Sequence, residues 1–459
     1  MTATEPAPQA APSHRVASWT GVRAFAALLV VATHVAFWTG NYGDDASGLL
    51  FARLEVGVTI FFVLSGFLLT RPWVTAISRG TDSPSTARYF AHRLRRVLPA
   101  YWITVVAAYG IYTLRDVEPA GRSVEGFVRT TTFTQLYEFG HFHQGLTQMW
   151  SLAVEVVFYL VLPAVVWLVF SLVCRQRWRP GLATAALSVL TLVSPLWVVF
   201  THDASTFGGP LDPTARMWFP AFAAWFLAGV ALAVAAEHVR REPGVRAPNP
   251  YLLLGGGLVA FVLACTPAAG EATIVPSDAG AAITKTFLYG ASATALIAAL
   301  VVGERPSIVA RVLGSRPAVW LGAISYEIFL VHLVVLELAM SVLGYHVFGG
   351  NPLVLFTVTV AASIPIAWLL HRVTRPLLPG AADERRRRAR DGEFLVGGDH
   401  EERGRAAVGT DVPLAAPRGV PVRVDDDAER LESLQDRGAQ RGDVLPDARR
   451  ERDRVDSPE

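Results

Sequence analysis

The sequence predicts an all-α membrane protein of about ten transmembrane helices, with both termini in the cytoplasm. Hydrophobic residues make up 52% of the 459 residues, charged residues make up only 17%, and the apolar residues collect in long runs. Soluble domains carry roughly 25% charged residues. A helix that crosses the hydrocarbon core of a membrane needs about 20 mostly apolar residues. The composition therefore excludes an ordinary soluble enzyme and predicts a location in a plasma membrane.

Ten stretches of the chain satisfy this length requirement. The predicted spans are residues 18–39, 54–71, 95–114, 149–173, 181–201, 216–236, 250–267, 281–302, 317–342 and 353–373. The seventh span is the weakest, because Gly255, Gly256 and Gly257 open it and Pro267 closes it. The first span contains Arg23 and lacks a convincing small-residue cleavage site, so a retained helix is predicted and not a cleaved signal peptide.

The distribution of arginine predicts how the spans are oriented. The loops on one side are rich in arginine, namely Arg71, Arg79, Arg88, Arg93, Arg95, Arg96, Arg175, Arg177, Arg179, Arg240, Arg241, Arg246, Arg305, Arg311 and Arg316. The opposite loops are poorer in arginine and carry several acidic residues. Since loops with excess positive charge stay in the cytoplasm, both termini are predicted to be cytoplasmic.

The two ends of the chain differ from the predicted membrane domain, which covers residues 18–375. Residues 1–17 are rich in Ala and Pro, and residues 376–459 are charged and nearly free of aromatic residues. Such segments cannot bury enough apolar surface to offset the entropy of ordering, so both are predicted to be disordered cytoplasmic segments. The internal loop 115–148 has an apolar patch near residues 127–137, which is expected to form an interfacial helix or a lid.

The first span contains two ionisable residues, Arg23 and His34. Each is costly inside a membrane, by about 2.5–3.5 kcal/mol on insertion scales. They are eleven residues apart, which places them on nearly the same helix face and roughly 16 Å apart along the axis. Two interpretations stay open. In the first, Arg23 binds an anion and His34 is a titratable imidazole deeper in the membrane. In the second, the Arg23 side chain extends to the membrane surface and His34 forms a hydrogen bond to another helix.

The fourth span opens with Trp150 and Ser151 and contains Glu155. A carboxylate at this depth can orient His34 as in a general-base pair. The alternative is that Glu155 pairs with an arginine and serves only assembly. Trp150 is a candidate interfacial residue in either case.

The ninth span carries Ser325, Tyr326, Glu327 and His332. They are candidates for lining a site, and hydrogen bonding between helices is the alternative, which is favoured for Tyr326 taken alone. Ahead of the third span, Arg93 and Arg96 can bind phosphates through paired hydrogen bonds, or they can simply be cytoplasmic loop charges.

Together these residues resemble acyltransferase family three, the integral membrane acyltransferases that modify sugars, peptidoglycan, lipids and antibiotics. The similarity covers about residues 18–375. It is carried by Arg23 with His34; Gly57-Val58 and Phe61 to Leu68; Arg93 to Arg96 with Pro99 and Tyr101-Trp102; Trp150 to Leu152 with Glu155, Phe158-Tyr159 and Pro163; and Gly322, Ser325-Tyr326, Phe329-Leu330 and His332. Two positions depart from the family pattern: Thr59 stands where an acidic residue is frequent, and Gln148 stands where a histidine is common.

The resemblance implies an acyl-coenzyme A donor, acetyl-coenzyme A in the first instance, which is a substrate and not a permanently bound cofactor. His34 is expected to act as general base or to carry the acyl group transiently, because neutral imidazole with an ordinary pKa of about 6.5 suits either role. Glu155 and Arg23 complete the predicted catalytic set. Donor binding is assigned to Arg93, Arg96, Ser65 and Gly66, and the cavity or acceptor site to Trp150, Ser151, Ser325, Tyr326 and His332.

The expected acceptor is a hydroxyl of a sugar, glycan or glycolipid, and an Arg-rich chain with the single lysine Lys285 suggests a high-GC bacterium. The two cysteines do not have the spacing of zinc ligands, so no metal site is predicted. The expected partners are the donor, the acceptor and membrane lipids, and no nucleic acid is expected. A transporter that exports an acylated or glycosylated molecule is the alternative. Transporters often have two related halves, whereas the arginine–histidine pair occurs once. A membrane scaffold without chemistry is a third interpretation.

Overall fold

The computed structural model describes residues 14–43, 45–115, 123–202, 213–273, 276, 278–302 and 306–374. These residues form helices and connecting turns and contain no strand, which confirms the predicted fold class. The predicted terminal segments lie outside the described residues, except that the first helix begins at His14, four residues before the predicted span.

The described residues contain fifteen α-helices. They are α1 His14–Trp38, α2 Ala46–Arg53, α3 Val56–Arg79, α4 Thr86–Leu114, α5 Val124–Thr131, α6 Met149–Val166, α7 Pro180–Thr191, α8 Val193–His202, α9 Phe219–Arg241, α10 Pro250–Ala264, α11 Ala279–Val301, α12 Ile308–Leu313, α13 Arg316–Ala323, α14 Ser325–Leu343 and α15 Pro352–Thr374. A π-helical segment, Trp167–Val173, continues α6, and α5 occupies part of the predicted apolar patch in loop 115–148.

Nine helical segments among the described residues are long and apolar enough to cross a membrane. The remaining predicted stretch, the seventh (residues 250–267), forms α10, which has only 15 residues. This helix is about 22 Å long at 1.5 Å per residue, less than the roughly 30 Å of a hydrocarbon core. Its C-terminal carbonyl groups therefore need partners within the protein.

Arg53 supplies those partners. Its side chain is fully buried and donates to the carbonyl of Ala264 at 2.8 Å, at the end of α10. It also donates to the carbonyls of Ala269 at 3.2 Å, Gly270 at 2.5 Å and Glu271 at 3.0 Å in the turn that follows. One planar guanidinium thus binds one of the carbonyl groups that the end of α10 leaves unsatisfied, together with three carbonyl groups of the turn.

A second buried cation lies beside this turn. Lys285 donates to the carbonyl of Thr273 at 2.6 Å and forms an ion pair with Glu55. Tyr289 donates to the same Glu55 carboxylate at 3.1 Å. These contacts fix the segment between α10 and α11 against the start of α3.

The predicted ninth span, 317–342, is not one continuous helix. It divides at Ile324 into α13 and α14. A Cβ atom on Gly322 would collide with the carbonyl of Thr20 in α1, so α13 and α1 cross closely. Ser325 donates to the carbonyl of Gly322 at 2.9 Å across the break.

Helices α3 and α9 also cross in close contact. A Cβ atom on Gly66 would collide with the carbonyl of Phe226, and one on Gly229 would collide with the carbonyl of Val63. Small residues at crossings are typical of membrane helices, because they let backbones approach.

Helix α1 begins at the face of the bundle where α3, α9 and α11 end. The rings of Trp19 and Phe67 lie 5.5 Å apart, and the Trp19 indole donates to the carbonyl of Leu300 at 3.4 Å. Ser78 of α3 donates to Glu237 of α9. We call this side of the bundle the N-terminal face.

Candidate active site

A cavity of about 160 Å³ lies between α1, α3, α4, α6 and α14. Its polar lining residues are Arg23, Ser65, Arg93, Arg96, Ser151, Glu155, Tyr159 and Tyr326. Seven of these belong to the predicted site, although they come from five separate helices. The apolar remainder of the wall includes Phe61, Leu68 and Phe329.

The cavity carries more positive than negative charge. It contains three guanidinium groups, from Arg23, Arg93 and Arg96, and one carboxylate, Glu155. Glu155 accepts a hydrogen bond of 2.5 Å from the Ser65 hydroxyl. Arg23 lies within electrostatic range of both Arg96 and Glu155.

Two of these arginines have no protein partner of their own. In the part of the chain that the structure describes, Arg23 and Arg96 form neither a hydrogen bond nor an ion pair. Arg23 is half-buried and Arg96 is exposed. A surplus of guanidinium groups facing a cavity is an arrangement that an anionic ligand neutralises, since arginine binds phosphates through paired hydrogen bonds.

A pair of histidines joins α1 to α14. His332 Nε2 lies 3.3 Å from His34 Nδ1, and the ring centroids are 5.1 Å apart. His34 Nδ1 also lies 2.8 Å from the carbonyl of Val30, and His332 Nδ1 lies 2.8 Å from the carbonyl of Phe329. His332 is fully buried and His34 is half-buried.

These contacts assign the tautomer of each ring. A carbonyl oxygen only accepts hydrogen bonds, so both Nδ1 atoms carry hydrogen. In neutral His332 the Nε2 atom is therefore an acceptor, and it shares the Nδ1 hydrogen of His34 with the Val30 carbonyl. His34 Nε2 is left with its lone pair, which is the nitrogen that a general base uses.

The histidine pair lies beyond the wall of the cavity and is connected to it through α14. Phe329 lines the cavity with its side chain and accepts from His332 with its carbonyl. Along α1, His34 is eleven residues from Arg23, roughly 16 Å at the rise of a helix. The site therefore has a cationic end and an imidazole end.

One predicted contact is absent and another takes its place. Glu155 and His34 were expected to interact, but in the described part of the chain Glu155 bonds Ser65 whereas His34 bonds Val30 and His332. The depth of a residue in a span is readable from sequence, but the helix that it faces is not. Glu155 therefore lies at the cationic end.

Three further predicted site residues do not line the cavity. Gly66 contacts α9 at the close crossing described above. Ser325 is fully buried and donates to the Gly322 carbonyl. The ring of Trp150 packs 5.1 Å from that of Phe222. Tyr326 does line the cavity, and its hydroxyl donates to the carbonyl of Val97 at 2.9 Å.

Sequence reasoning did not assign a site role to two residues that the structure places here. Tyr159 lies one helical turn after Glu155, and that spacing was the available signal. Gln148 donates to the carbonyls of Phe329 at 3.4 Å and Leu330 at 3.0 Å, and the Phe329 carbonyl also accepts from His332 Nδ1. The family pattern commonly has a histidine where Gln148 stands, so the contacts of this amide were not predictable from the motif.

Glu327, a candidate from the ninth span, lies behind the cavity wall. It is buried and bonds His371 of α15 at 2.9 Å. It also lies within electrostatic range of Arg23. Its carboxylate therefore adds negative charge near the cationic end without lining the cavity itself.

Comparison with known proteins gives consistent results. The chain is 26% identical to the peptidoglycan O-acetyltransferase OatA of Listeria monocytogenes over 347 residues, which cover 72% of this chain and 50% of that protein. It is 28% identical to the acyltransferase MdmB of Streptomyces mycarofaciens over 356 residues, covering 73% and 82%. It is 29% identical to the putative peptidoglycan O-acetyltransferase YrhL of Bacillus subtilis over 355 residues, covering 72% and 50%.

The chain thus spans about half the length of OatA and YrhL. No solved structure gives a significant match. The family model of the acyltransferase domain matches residues 16–372, which include every helix of the site. The protein is therefore a multi-pass membrane protein and belongs to acyltransferase family three.

Proposed function

We propose that the protein transfers an acyl group from acyl-coenzyme A, acetyl-coenzyme A in the first instance, to a hydroxyl of a sugar, glycan or glycosylated small molecule. The observation that carries this proposal is the arrangement of Arg23 and Arg96, two guanidinium groups without a hydrogen-bond or ion-pair partner among the described residues, in a cavity that lies along α1 from His34, whose Nε2 keeps its lone pair. An acyl transfer from a phosphate-bearing thioester needs both a cationic site and a base.

The shape of the donor fits the separation of the two ends. Coenzyme A carries phosphates at one end and its thiol at the end of a long flexible arm. With the phosphates bound by Arg23, Arg93 and Arg96, the arm extends along α1 over the roughly 16 Å that separate Arg23 from His34. Glu155 offsets part of the charge of the three guanidinium groups.

The reaction balances with His34 as the only proton carrier. The acceptor hydroxyl gives its proton to His34 Nε2 while its oxygen bonds to the thioester carbonyl carbon. The tetrahedral intermediate collapses, the carbon–sulfur bond breaks, and the leaving thiolate takes the proton from His34. The products are an ester and free coenzyme A, and the imidazole returns to its neutral form. His332 holds the ring of His34 in the tautomer that leaves Nε2 unprotonated.

The orientation and the acceptor are part of the proposal. The arginine-rich loops support a cytoplasmic N-terminal face, where coenzyme A thioesters are available. The names of OatA and YrhL refer to peptidoglycan O-acetylation, which supports a sugar hydroxyl as acceptor. A soluble or lipid-linked acceptor would reach His34 from the opposite half of the membrane domain.

The test is direct transfer of label. Purified protein in nanodiscs is incubated with radiolabelled acetyl-coenzyme A and a panel of muropeptides, glycolipids and glycosylated antibiotics, and esterified products are counted. Time-dependent transfer to a hydroxylated acceptor is expected. If coenzyme A thioesters of several chain lengths neither bind nor donate, the proposal is wrong, and assays of acceptor export in vesicles then test the transporter alternative.

A further inference from the structure

A second cavity, of about 310 Å³, opens on the N-terminal face beside the first one. Helix α3 separates the two: Ser65 and Leu68 line the first cavity, and Phe67 and Arg71 line the second. Helix α1 contributes to both in the same way, with Arg23 in the first cavity and Trp19, one turn earlier, in the second. The two cavities therefore share walls and lie at the same membrane face.

The second cavity combines an apolar wall with two guanidinium groups, from Arg71 and Arg240, and two carboxylates, from Glu237 and Glu242. Ala236, Val239 and Val301 supply apolar surface from α9 and α11. The Arg71 guanidinium lies 5.1 Å above the ring of Trp19. Arg240 pairs with Glu237 at 2.6 Å and keeps 42% of its side chain exposed. An apolar slot in which the Arg71 guanidinium stacks on an aromatic ring suits a flat aromatic base, and Arg71 is a group in it that can bind a phosphate.

The volumes point to a ligand that occupies both cavities. Sites for drug-sized ligands measure about 300–1,000 Å³, and the first cavity, at 160 Å³, is below this range. Coenzyme A is larger than most such ligands, and its groups follow one another as adenosine with its ribose phosphate, diphosphate and pantetheine arm. The structure offers an apolar slot that contains Arg71, then the three arginines of the first cavity, then His34 beyond the wall of that cavity, in the same order.

We propose that the second cavity binds the nucleotide end of the donor, the adenine ring with its ribose phosphate. This inference rests on the proposed acyl-coenzyme A donor and assigns a place to the part of that donor that the first cavity does not hold. A phosphate-bearing lipid headgroup shares this chemistry, so the experiment has to distinguish the two sources.

The test compares acetyl-coenzyme A with S-acetylpantetheine, which lacks the nucleotide, in Ala236→Trp and in Ala235→Trp. Ala236 lines the second cavity, whereas Ala235 is exposed on the same helix and serves as the matched control. Filling the cavity is expected to raise KM for acetyl-coenzyme A by about ten-fold, or 1.4 kcal/mol, and to leave kcat/KM for S-acetylpantetheine unchanged. The control variant is expected to change neither. Arg71→Gln is a second variant, with the same expected selectivity between donors.

Three outcomes would overturn the inference. The first is an equal change for both donors in Ala236→Trp and Arg71→Gln, and the second is no change for either donor. The third is an effect that appears only with phosphatidylglycerol nanodiscs and not with phosphatidylcholine nanodiscs, which would identify a lipid site. If the wild-type protein uses neither donor, the proposed function itself is wrong. If the wild-type protein is active but the variants affect both donors equally, only the inference about the second cavity is wrong.

Discussion

His332 Nε2 accepts from His34 Nδ1 at 3.3 Å, and this contact links two residues that are 298 positions apart in the chain. The break between α13 and α14 at Ile324 precedes His332 by two helical turns, and α1 packs against both helices. The backbone carbonyls of Val30 and Phe329 fix the hydrogen on each Nδ1. In the proposed mechanism the pair acts as a unit in which His332 positions the ring of His34 and His34 takes the proton.

Removing the acceptor nitrogen of His332 should slow catalysis without weakening donor binding. In His332→Phe, kcat is expected to fall by about 10²-fold, within the range for disturbed acid–base groups, while KM for the donor stays constant because the arginines are unchanged. His332→Gln keeps a hydrogen-bond acceptor and should recover part of the rate. Steady-state kinetics on both variants would check this, and an unchanged kcat in His332→Phe would show that the pair is only structural.

The unpartnered arginines should determine donor affinity. Arg96→Gln removes a guanidinium that faces the cavity, and hydrogen bonds to charged groups contribute about 1.5–3 kcal/mol, so donor Kd should rise by at least about ten-fold. Arg95 is exposed on the neighbouring position of α4 and does not line the cavity, so Arg95→Gln should bind normally. Calorimetry with coenzyme A distinguishes the two, and equal Kd values would contradict the assignment.

Gly66 is expected to affect the packing of α3 against α9 and not the binding of the donor. A methyl group at Gly66 meets the Phe226 carbonyl, and overpacking costs about 1–3 kcal/mol. Gly66→Ala should therefore lower the thermal midpoint of the detergent-solubilised protein. Gly110 is exposed on α4, and no atom lies within 4 Å of the position that a Cβ would take there, so Gly110→Ala should be neutral or slightly stabilising. A Gly66→Ala protein with wild-type stability and impaired donor binding would reverse this assignment.

Arg53 should stabilise the membrane domain. Arg53→Gln leaves the Ala264 carbonyl at the end of α10, and the carbonyls of the turn that follows, without the Arg53 donors, each at a cost of about 1–3 kcal/mol. Arg53→Lys should rescue little, because an ammonium group lacks the planar fork. Thermal unfolding followed by tryptophan fluorescence would report the loss, with the exposed Arg177→Gln as control. If Arg53→Gln unfolds at the wild-type temperature, the carbonyl groups at the end of α10 must receive hydrogen bonds from other donors.

The existence of the spans was predictable because apolar runs are a local property of the chain. All ten predicted stretches are helical, and the glycines that made the seventh span weak fall in α10, which at 15 residues is shorter than the nine described segments long enough to cross a membrane. The break at Ile324 was not predictable, because it depends on the approach of Gly322 to Thr20, which are distant in sequence.

The site was predictable in composition but only partly in its contacts. The spacing of Arg23 and His34 gave the distance between the two ends, because helix geometry is fixed. The partner of Glu155 was missed, because the rotation of one helix against another depends on packing throughout the bundle. The structural role of Arg53 was not predicted, although the sequence offered a signal for it. Arg53 precedes a span on the side of the membrane where arginine is otherwise scarce.

One paired measurement tests most directly whether His34 performs the chemistry while the arginines bind the donor. Binding of coenzyme A and transfer of labelled acetyl groups are measured on the same preparations of wild type, His34→Ala and Arg96→Gln. We expect His34→Ala to bind coenzyme A with wild-type affinity but to transfer no label, and Arg96→Gln to transfer label once the donor concentration is raised. A His34→Ala protein that inserts normally and retains full acyl transfer would contradict the proposed role of His34.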